Sequence, residues 1–469
     1  MNNYLHTDFL LDTETARRLY HDVAADLPII DYHNHLPPEE VAHNRSWDNL
    51  GDLWLSHDHY KWRVMRWAGV PESHITGSAT DKEKFQAFAQ ILPKAIGNPM
   101  HHWSHLELWR YFGDEGKLIN SDTAEEIWQS TQAMLSQPEF RAQGLLKKMK
   151  VELIGTTDDP LDSLEHHRAF AASPHKGELS MVPTFRPDRA LAIEGSGFSA
   201  YLEKLETLTG QPISTFEHLV SALTDRLEYF IANGCRAADH GIGQLEQADE
   251  LSASQLDAIL KKGRQGKALE PKEAESFRMA VLVALGRGYA RADLVMQLHI
   301  GPLRNNSTQI LTAAGSDSGA DSIQDKPIAE PLNKLLNRMD STNELPRTIL
   351  YALDPSKNPI IVTTAGNFQS GGIAGKVQAG TAWWFNDQLD GMENQMSQLA
   401  QMGLLSTFTG MLTDSRSFLS FPRHEYFRRL LCRIVGRWVS EGLAPNDHKL
   451  LDEIIADICY HNARRWFIE

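Results

Sequence analysis

The chain has 469 residues, 42% of them apolar, and a formal net charge of -15, enough for one large core or for two or three ordinary domains. Acidic and basic residues are interspersed rather than blocked, which leaves no basic face for nucleic acid, and no apolar run approaches the roughly 20 residues that a bilayer span needs. Cys235, Cys432 and Cys459 form neither a CxxC pair nor an even framework. This speaks for a reducing compartment and against a thiolate metal cage. Residues 1–26 lack the basic start and apolar stretch of a signal peptide, so a cytoplasmic enzyme is expected, without nucleic-acid or membrane partners.

Short apolar runs recur along the chain, each followed by polar or Gly/Pro residues and then a longer helical pattern, the sign of repeated strand-helix units. In order they are 27–35, 151–157, 181–186, 234–240, 294–300, 348–353, 378–385 and 405–414. Eight such units predict an α/β fold of the (β/α)8 TIM-barrel type, with chemistry on the loops beyond the C-terminal strand ends. His33, His35, Asp158, Arg186, His240, His299, Asp414 and Arg416 all fall at or just past the ends of their runs. A further apolar run, 359–366, follows the cap-like pair Asn358-Pro359 and reads as a short helix. About 115 residues separate the first two runs, far more than a strand-helix unit uses. The spacing predicts a mostly helical insertion at 37–150 lying over the barrel mouth, with the barrel itself formed by 1–36 and 151–469. The Gly-, Ser- and Asp-rich stretch 315–325 lacks the order of an EF-hand loop and reads as a flexible lid or connection. In the tail, Tyr426, Phe427, Leu430, Leu431, Ile434, Val435, Trp438 and Val439 repeat with helical period, and Asn446 is placed to cap a second helix through Leu450, Leu451, Ile454, Ile455 and Ile458.

In Ile29-Ile30-Asp31-Tyr32-His33-Asn34-His35 the strand's period of two puts Asp31, His33 and His35 on one face, inward in a barrel's first strand. Two converging imidazoles suit a divalent metal such as zinc, completed by a carboxylate from another strand. Asp414 of Thr413-Asp414-Ser415-Arg416 supplies one at the end of the eighth run, beside the first in a closed barrel.

These features, together with the surrounding words, resemble the uronate (glucuronate) isomerase family of the amidohydrolase superfamily. The resembling words are Asp31-Tyr32-His33-Asn34-His35-Leu36, Asp58-His59-Tyr60-Lys61-Trp62-Arg63-Val64-Met65-Arg66, Gln297-Leu298-His299-Ile300-Gly301-Pro302-Leu303-Arg304-Asn305-Asn306, Gly380-Thr381-Ala382-Trp383-Trp384-Phe385-Asn386-Asp387 and Thr413-Asp414-Ser415-Arg416-Ser417-Phe418, which span residues 31–418. The resemblance implies interconversion of D-glucuronate with D-fructuronate, and of D-galacturonate with D-tagaturonate, by proton transfer through an enediol. It further implies one divalent metal, zinc by its ligands, on His33, His35 and Asp414, either polarising the substrate's oxygens or serving as a template. It brings His59 and Tyr60 from the insertion into the site, with Tyr60 as a proton shuttle.

Asp414 is the preferred proton acceptor, which asks one carboxylate to be both ligand and base. A sugar acid also needs a cationic fork, for which Arg186, Arg416 and Arg304 are ranked in that order. Trp383 and Trp384 offer a wall for the sugar, and His299 a peripheral substrate contact. His240 is unassigned. No lysine ends the fourth run, so the carbamylated bridge of two-metal relatives has no counterpart. The rival reading is a one-metal hydrolase of the same superfamily acting on a lactone, ester or amide. The extended helical surfaces are compatible with a homo-oligomer.

Overall fold

The computed structural model describes residues 4–173 and 177–469. Seven strands follow one another in space as they do in the chain: β1 (Ile29–Asp31), β2 (Val151–Gly155), β3 (Ser180–Val182, resuming as Thr184–Phe185), β4 (Ala237–Ile242), β5 (Val295–Ile300), β6 (Thr348–Ala352) and β7 (Val377–Ala379). Every pairing between neighbours is parallel. The break in β3 falls at Pro183, which has no N–H for the ladder. Pairing with the chain beyond β2 continues past it, since the Asp158 N–H donates to the Thr184 carbonyl at 3.0 Å and the Arg186 N–H to the Asp158 carbonyl at 2.9 Å. Strands β1, β5, β6 and β7 are buried at every position, as expected where helices cover one face and the barrel interior the other. The architecture is the α/β barrel that the eight-fold pattern predicts.

The eighth member departs from expectation. Leu405–Thr407 is a 3-10 turn, and 408–415 joins no ladder. Gly410 is the cause: its φ is +78°, and a side chain there would run into the Ile458 carbonyl of the C-terminal segment, so the chain cannot extend as a regular strand. Side chains take over the ladder's work. Asp31 accepts from both the N–H and the hydroxyl of Thr413 at 2.7 Å, the Tyr32 hydroxyl donates to the Gly410 carbonyl at 3.1 Å, and Gln378 of β7 accepts from the Thr409 N–H at 3.0 Å. Two main-chain bonds close the seam with the first strand, from Asp414 N–H to the His33 carbonyl (3.2 Å) and from His35 N–H to the Ser415 carbonyl (2.9 Å). The seventh run is likewise shorter than expected. After β7, Gly380 lies against the Tyr351 ring with no room for a side chain, and the chain turns through a 3-10 helix at Trp384–Asn386.

Between β1 and β2 the chain is helical, from Pro38–Ala42 to Ala142–Lys148, with no strand. Its apolar cluster around Trp54, Phe85, Phe88, Tyr111 and Ile127 continues into the barrel through Ile29, Ile154, Met181 and Phe418. The run at 359–366 is the helix Asn358–Asn367, preceded by a 3-10 turn that Asp354 caps in place of Asn358. In the tail, helix Pro422–Ser440 buries Tyr426, Phe427, Leu430, Leu431, Ile434 and Val435, whereas Trp438 and Val439 are only partly covered. Asp447, not Asn446, caps the next helix, His448–Ala456, on which Leu450 is exposed. The three cysteines are free, and burial pushes the Cys235 thiol up to about 12 and Cys459 up to about 11. Among the described residues, no helix is long and apolar enough to cross a membrane.

Candidate active site

The expected alternation does not carry through: Ile30 and Tyr32 join the interior cluster and Asp31 lies on the other face, and it is beyond the end of β1 that His33 and His35 turn into the cavity. The Nε2 atoms of His33 and His35 lie 3.2 and 3.0 Å from Asp414 Oδ1, and the three groups' ligand atoms fall within 4.8 Å of one another. Burial pushes His35 down to about 4, against the pull of Asp414, so this imidazole is neutral near pH 7 and its lone pair is free to ligate. Burial alone would raise the Asp414 carboxyl, but the two imidazoles outweigh it and hold it well below the usual carboxylate range. Two nitrogens and one carboxylate oxygen at one point, with His35 and Asp414 open to a cavity, fit a divalent metal with a vacant coordination position. The second oxygen, Asp414 Oδ2, accepts from Trp383 Nε1 at 2.7 Å. Asp414 itself has a φ of +47°, a region that aspartate tolerates better than most residues.

Asp31 is not a ligand. It is fully buried, and besides Thr413 it takes bonds from Asn34 Nδ2 (3.0 Å) and meets His424 Nε2 (3.2 Å). It therefore fixes the segment that carries Asp414 against the strand that carries the histidines.

Deeper in the barrel, His299 Nδ1 bonds Asp239 Oδ1 at 2.6 Å, and its ring lies parallel to Tyr351 at 4.2 Å and next to His33 at 4.7 Å. Burial pushes the Asp239 carboxyl up, but Arg186, at 3.1 Å, and His299 together hold it well below its ordinary value. His33, Asp239 and His299 also converge closely enough to be considered as ligands. Asp239, however, is already answered by the Arg186 guanidinium and the His299 ring. Arg186 further donates through Nε to Asp188 Oδ2 at 2.8 Å, which leaves it saturated by two carboxylates. His240, the next residue on β4, points the other way, toward Tyr289 in the helical layer, and does not line the cavity.

The insertion contributes the opposite wall. Asp58 caps helix His59–Trp67 by accepting from the N–H groups of Tyr60 and Lys61, and its other oxygen holds Lys61 Nζ at 2.6 Å in a buried pair. This fixes the first turn and with it His59, whose ring stacks on Tyr60 and meets Trp384 edge-on. Burial and the nearby Arg416 push His59 down to about 4. Burial raises the Tyr60 phenol well above its ordinary value, although the Arg423 guanidinium, 5.2 Å from its ring, pulls the other way. At the mouth Arg304 lies over Trp384 at 4.8 Å, and Asp317 joins Arg416 (3.0 Å) to Arg304 (3.3 Å).

The loop bearing Asp317 is not the flexible connection expected from its composition. Arg63 donates to the Gly319 and Asp321 carbonyls at 2.9 and 2.8 Å, Arg66 donates to the Ser318 carbonyl, and the loop's end pairs with Pro302–Leu303 as an antiparallel strand.

All eleven residues predicted from sequence line one cavity of about 330 Å³: His33, His35, His59, Tyr60, Arg186, His299, Arg304, Trp383, Trp384, Asp414 and Arg416. Of the three arginines, Arg186 pairs with Asp188 and Asp239, Arg304 with Asp317 and Asp321, and Arg416 with Asp317. Trp383 serves Asp414 directly. Sequence reasoning missed Asp188, Asp239, Asp317 and Arg423. Of these only Asp239 had a signal, since it and His240 end β4 and the strand's alternation sends one of the two inward.

An α/β barrel with two histidines and an aspartate converging at its C-terminal rim, in a small polar cavity that arginines also line, defines an enzyme of the metal-assisted barrel class. The sequence profile of glucuronate isomerases matches residues 1–467. The uronate isomerase of Marinomonas sp. is 54% identical over 467 residues, with all of both chains covered. The uronate isomerase structure from Thermotoga maritima superposes with a TM-score of 0.93 at 38% identity, covering all of both chains. The glucuronate isomerase from Caulobacter crescentus gives 0.91 at 28% identity, covering 99% of this chain and 97% of that one. The chain belongs to the glucuronate isomerase family and is an enzyme. This membership disfavours the hydrolase reading.

Proposed function

We propose that the site interconverts D-glucuronate with D-fructuronate, and D-galacturonate with D-tagaturonate, by moving a proton between C2 and C1 through an enediol. The observation that carries this reading is that the His33-His35-Asp414 centre shares one cavity with Arg304 and Arg416. That arrangement matches a molecule with a carbonyl at one end and a carboxylate at the other. The three donors are those of a zinc site, and a metal there would supply Lewis-acid polarisation of the substrate's C1 and C2 oxygens.

The remaining work belongs to side chains. Arg416, paired with Asp317, receives the carboxylate, since Arg186 and Arg304 are each held by two carboxylates. The two duties asked of Asp414 separate by atom: Oδ1 faces the imidazoles, while Oδ2 keeps a lone pair beside the Trp383 bond. Oδ2 takes the C2 proton and returns it to C1. Tyr60, kept protonated by burial, donates to the oxygen on which charge develops and relays the hydroxyl proton from O2 to O1. The buried His59 and Trp384 close the wall beside it. Three unpaired cysteines accord with a cytoplasmic setting.

The test is NMR of glucuronate turnover in deuterated water. Deuterium appearing at C1 of the ketose, or washing into C2 of the aldose, supports the enediol. Turnover with complete retention of hydrogen would point to hydride transfer and sink it, and release of acid from a lactone without uronate turnover would favour the hydrolase.

A further inference from the structure

We propose that Arg423 is a positioning residue for the proton relay, whose buried guanidinium holds the Tyr60 ring in place and sets a positive charge beside it as the phenol gives up its proton. The proposal rests on the reading of Tyr60 as the donor that relays the hydroxyl proton. Tyr60 lines the cavity, yet among the described residues its hydroxyl has no hydrogen-bond partner. Its position is therefore set by its helix and by what touches its ring. The His59 ring stacks on it at 4.8 Å, Trp103 meets it edge-on at 6.2 Å, and the Arg423 guanidinium lies over it at 5.2 Å.

Arg423 is itself firmly anchored. It lies in the first turn of helix Pro422–Ser440, is 1% exposed, and packs on Trp103 at 4.2 Å. Its Nη1 donates to the Thr413 carbonyl at 2.8 Å and lies 3.3 Å from Asp387 Oδ2. One guanidinium thus ties the segment that carries Asp414 to the insertion helix that carries Tyr60. The two groups that move the protons keep a fixed spacing through it.

Stability does not account for a charge in this position. Among the described residues Arg423 Nε and Asp387 Oδ1 are buried without partners, and an ion pair so incompletely satisfied stabilises less than apolar residues of the same volume would. Burial pushes the Asp387 carboxyl up to about 7 against the pull of Arg423, so near neutral pH the aspartate does not fully cancel the guanidinium. The phenol feels the remainder: burial raises it most, Arg423 opposes that rise, and Asp414, Asp387 and Asp58 add to it. A cation over a ring acts most strongly where water is excluded, as it is here.

The test is a double-mutant cycle on the metal-loaded enzyme. Arg423→Gln keeps a donor for the Thr413 carbonyl but no charge, Arg423→Lys keeps the charge, and each is made in the wild-type and Tyr60→Phe backgrounds. Turnover of glucuronate is followed by NMR over hours, so that a loss of about 10⁴-fold from removing a proton donor still registers. Arg423→Gln should lower kcat about 10- to 30-fold, the scale of a desolvated cation–ring contact, with KM within about twofold. Arg423→Lys should recover most of this. In the Tyr60→Phe background Arg423→Gln should cost less than about twofold more, and zinc affinity, from chelator competition, should not change. Should Arg423→Gln fail to fold, its combination with Asp387→Asn, which removes both charges of the buried pair, takes its place. An equal loss in both backgrounds, a lysine variant as slow as the glutamine variant, or zinc affinity that falls with kcat overturns the proposal. Failure of the readings beneath it would look different, as full turnover in Tyr60→Phe alone or as absence of uronate turnover in the wild type.

Discussion

Replacing Asp31 by Asn would test whether the eighth segment is held by side chains rather than by a ladder. Asp31 Oδ1 accepts from the Thr413 N–H and meets His424 Nε2, and Oδ2 accepts from the Thr413 hydroxyl and Asn34 Nδ2. In the variant an amide nitrogen must replace one oxygen. Placed at Oδ2 it confronts the Asn34 amide donor, and Asn34 cannot turn over because its own oxygen accepts the Leu36 N–H at 3.1 Å. Placed at Oδ1 it confronts the Thr413 N–H, which is worse. The better orientation loses one charge-assisted bond, ~1.5–3 kcal/mol, and weakens the two bonds at Oδ1 by about 1 kcal/mol each. A total of roughly 3–5 kcal/mol is large against a stability of about 5–15 kcal/mol but leaves the protein folded. The loosened segment carries Asp414, so zinc affinity should fall about 10- to 100-fold, as for other groups that orient a ligand. Denaturant unfolding followed by tryptophan fluorescence, together with zinc competition against a chromophoric chelator, measures both quantities. A loss below about 1 kcal/mol with unchanged zinc affinity would refute the reasoning.

Arg416→Met should raise KM for glucuronate about 10- to 100-fold, the order of one bidentate charged contact, and Arg416→Lys should recover only part of this because lysine has no fork; steady-state kinetics decide, and equal KM values for the two variants would count against the fork. Burial pushes the Asp158 carboxyl up to about 7, so its contribution to stability is full below the ordinary carboxylate range and is lost as pH rises through about 7. Over that window it amounts to at most about 4 kcal/mol, and Asp158→Asn should flatten the pH dependence of unfolding between about pH 4 and 7. Removal of metal by a chelator should abolish binding of D-glucarate, which has a carboxylate but no aldehyde to react, as well as turnover, read by calorimetry before and after zinc is restored.

The sequence was most legible where strand periodicity and chemistry coincide. His33 and His35 converge on Asp414, and of the polar residues that end the runs all but His240 reach the common cavity. The short apolar runs at 294–300 and 348–353 became β5 and β6, buried at every position. The eighth segment did not, because what prevents its ladder is the close approach of Ile458 to Gly410, a contact between residues distant along the chain. Arginine roles were illegible for the same reason. Nothing in the local sequence of Arg186 reveals that Asp239, on the next strand, will consume it, nor that Asp317 will arrive at Arg416 from a loop about 100 residues away. Arg423, at the start of a helix that otherwise reads as core, donates to the Thr413 carbonyl at 2.8 Å and packs on Trp103 and Tyr60. Its value lies in touching three separate elements, and pattern along one element cannot show that.

The charge balance of the cavity explains why metal removal should cost binding. Its lining includes four arginines, Arg186, Arg189, Arg304 and Arg416, against Asp58, Asp158, Asp159, Asp188, Asp317 and Asp414. Asp239 lies just behind them. Even with Asp158 half protonated near neutral pH, the acids outnumber the arginines, and the protein as a whole carries -15. A sugar acid therefore meets no attractive field from the polypeptide alone. A divalent cation at His33, His35 and Asp414 would offset the excess of carboxylates, whereas the guanidinium groups nearby are already paired, Arg416 with Asp317 and Arg304 with Asp317 and Asp321. Without the cation the site repels the anion. Recognition of an acidic sugar by this acidic protein thus depends on a local cation rather than on the field of the chain.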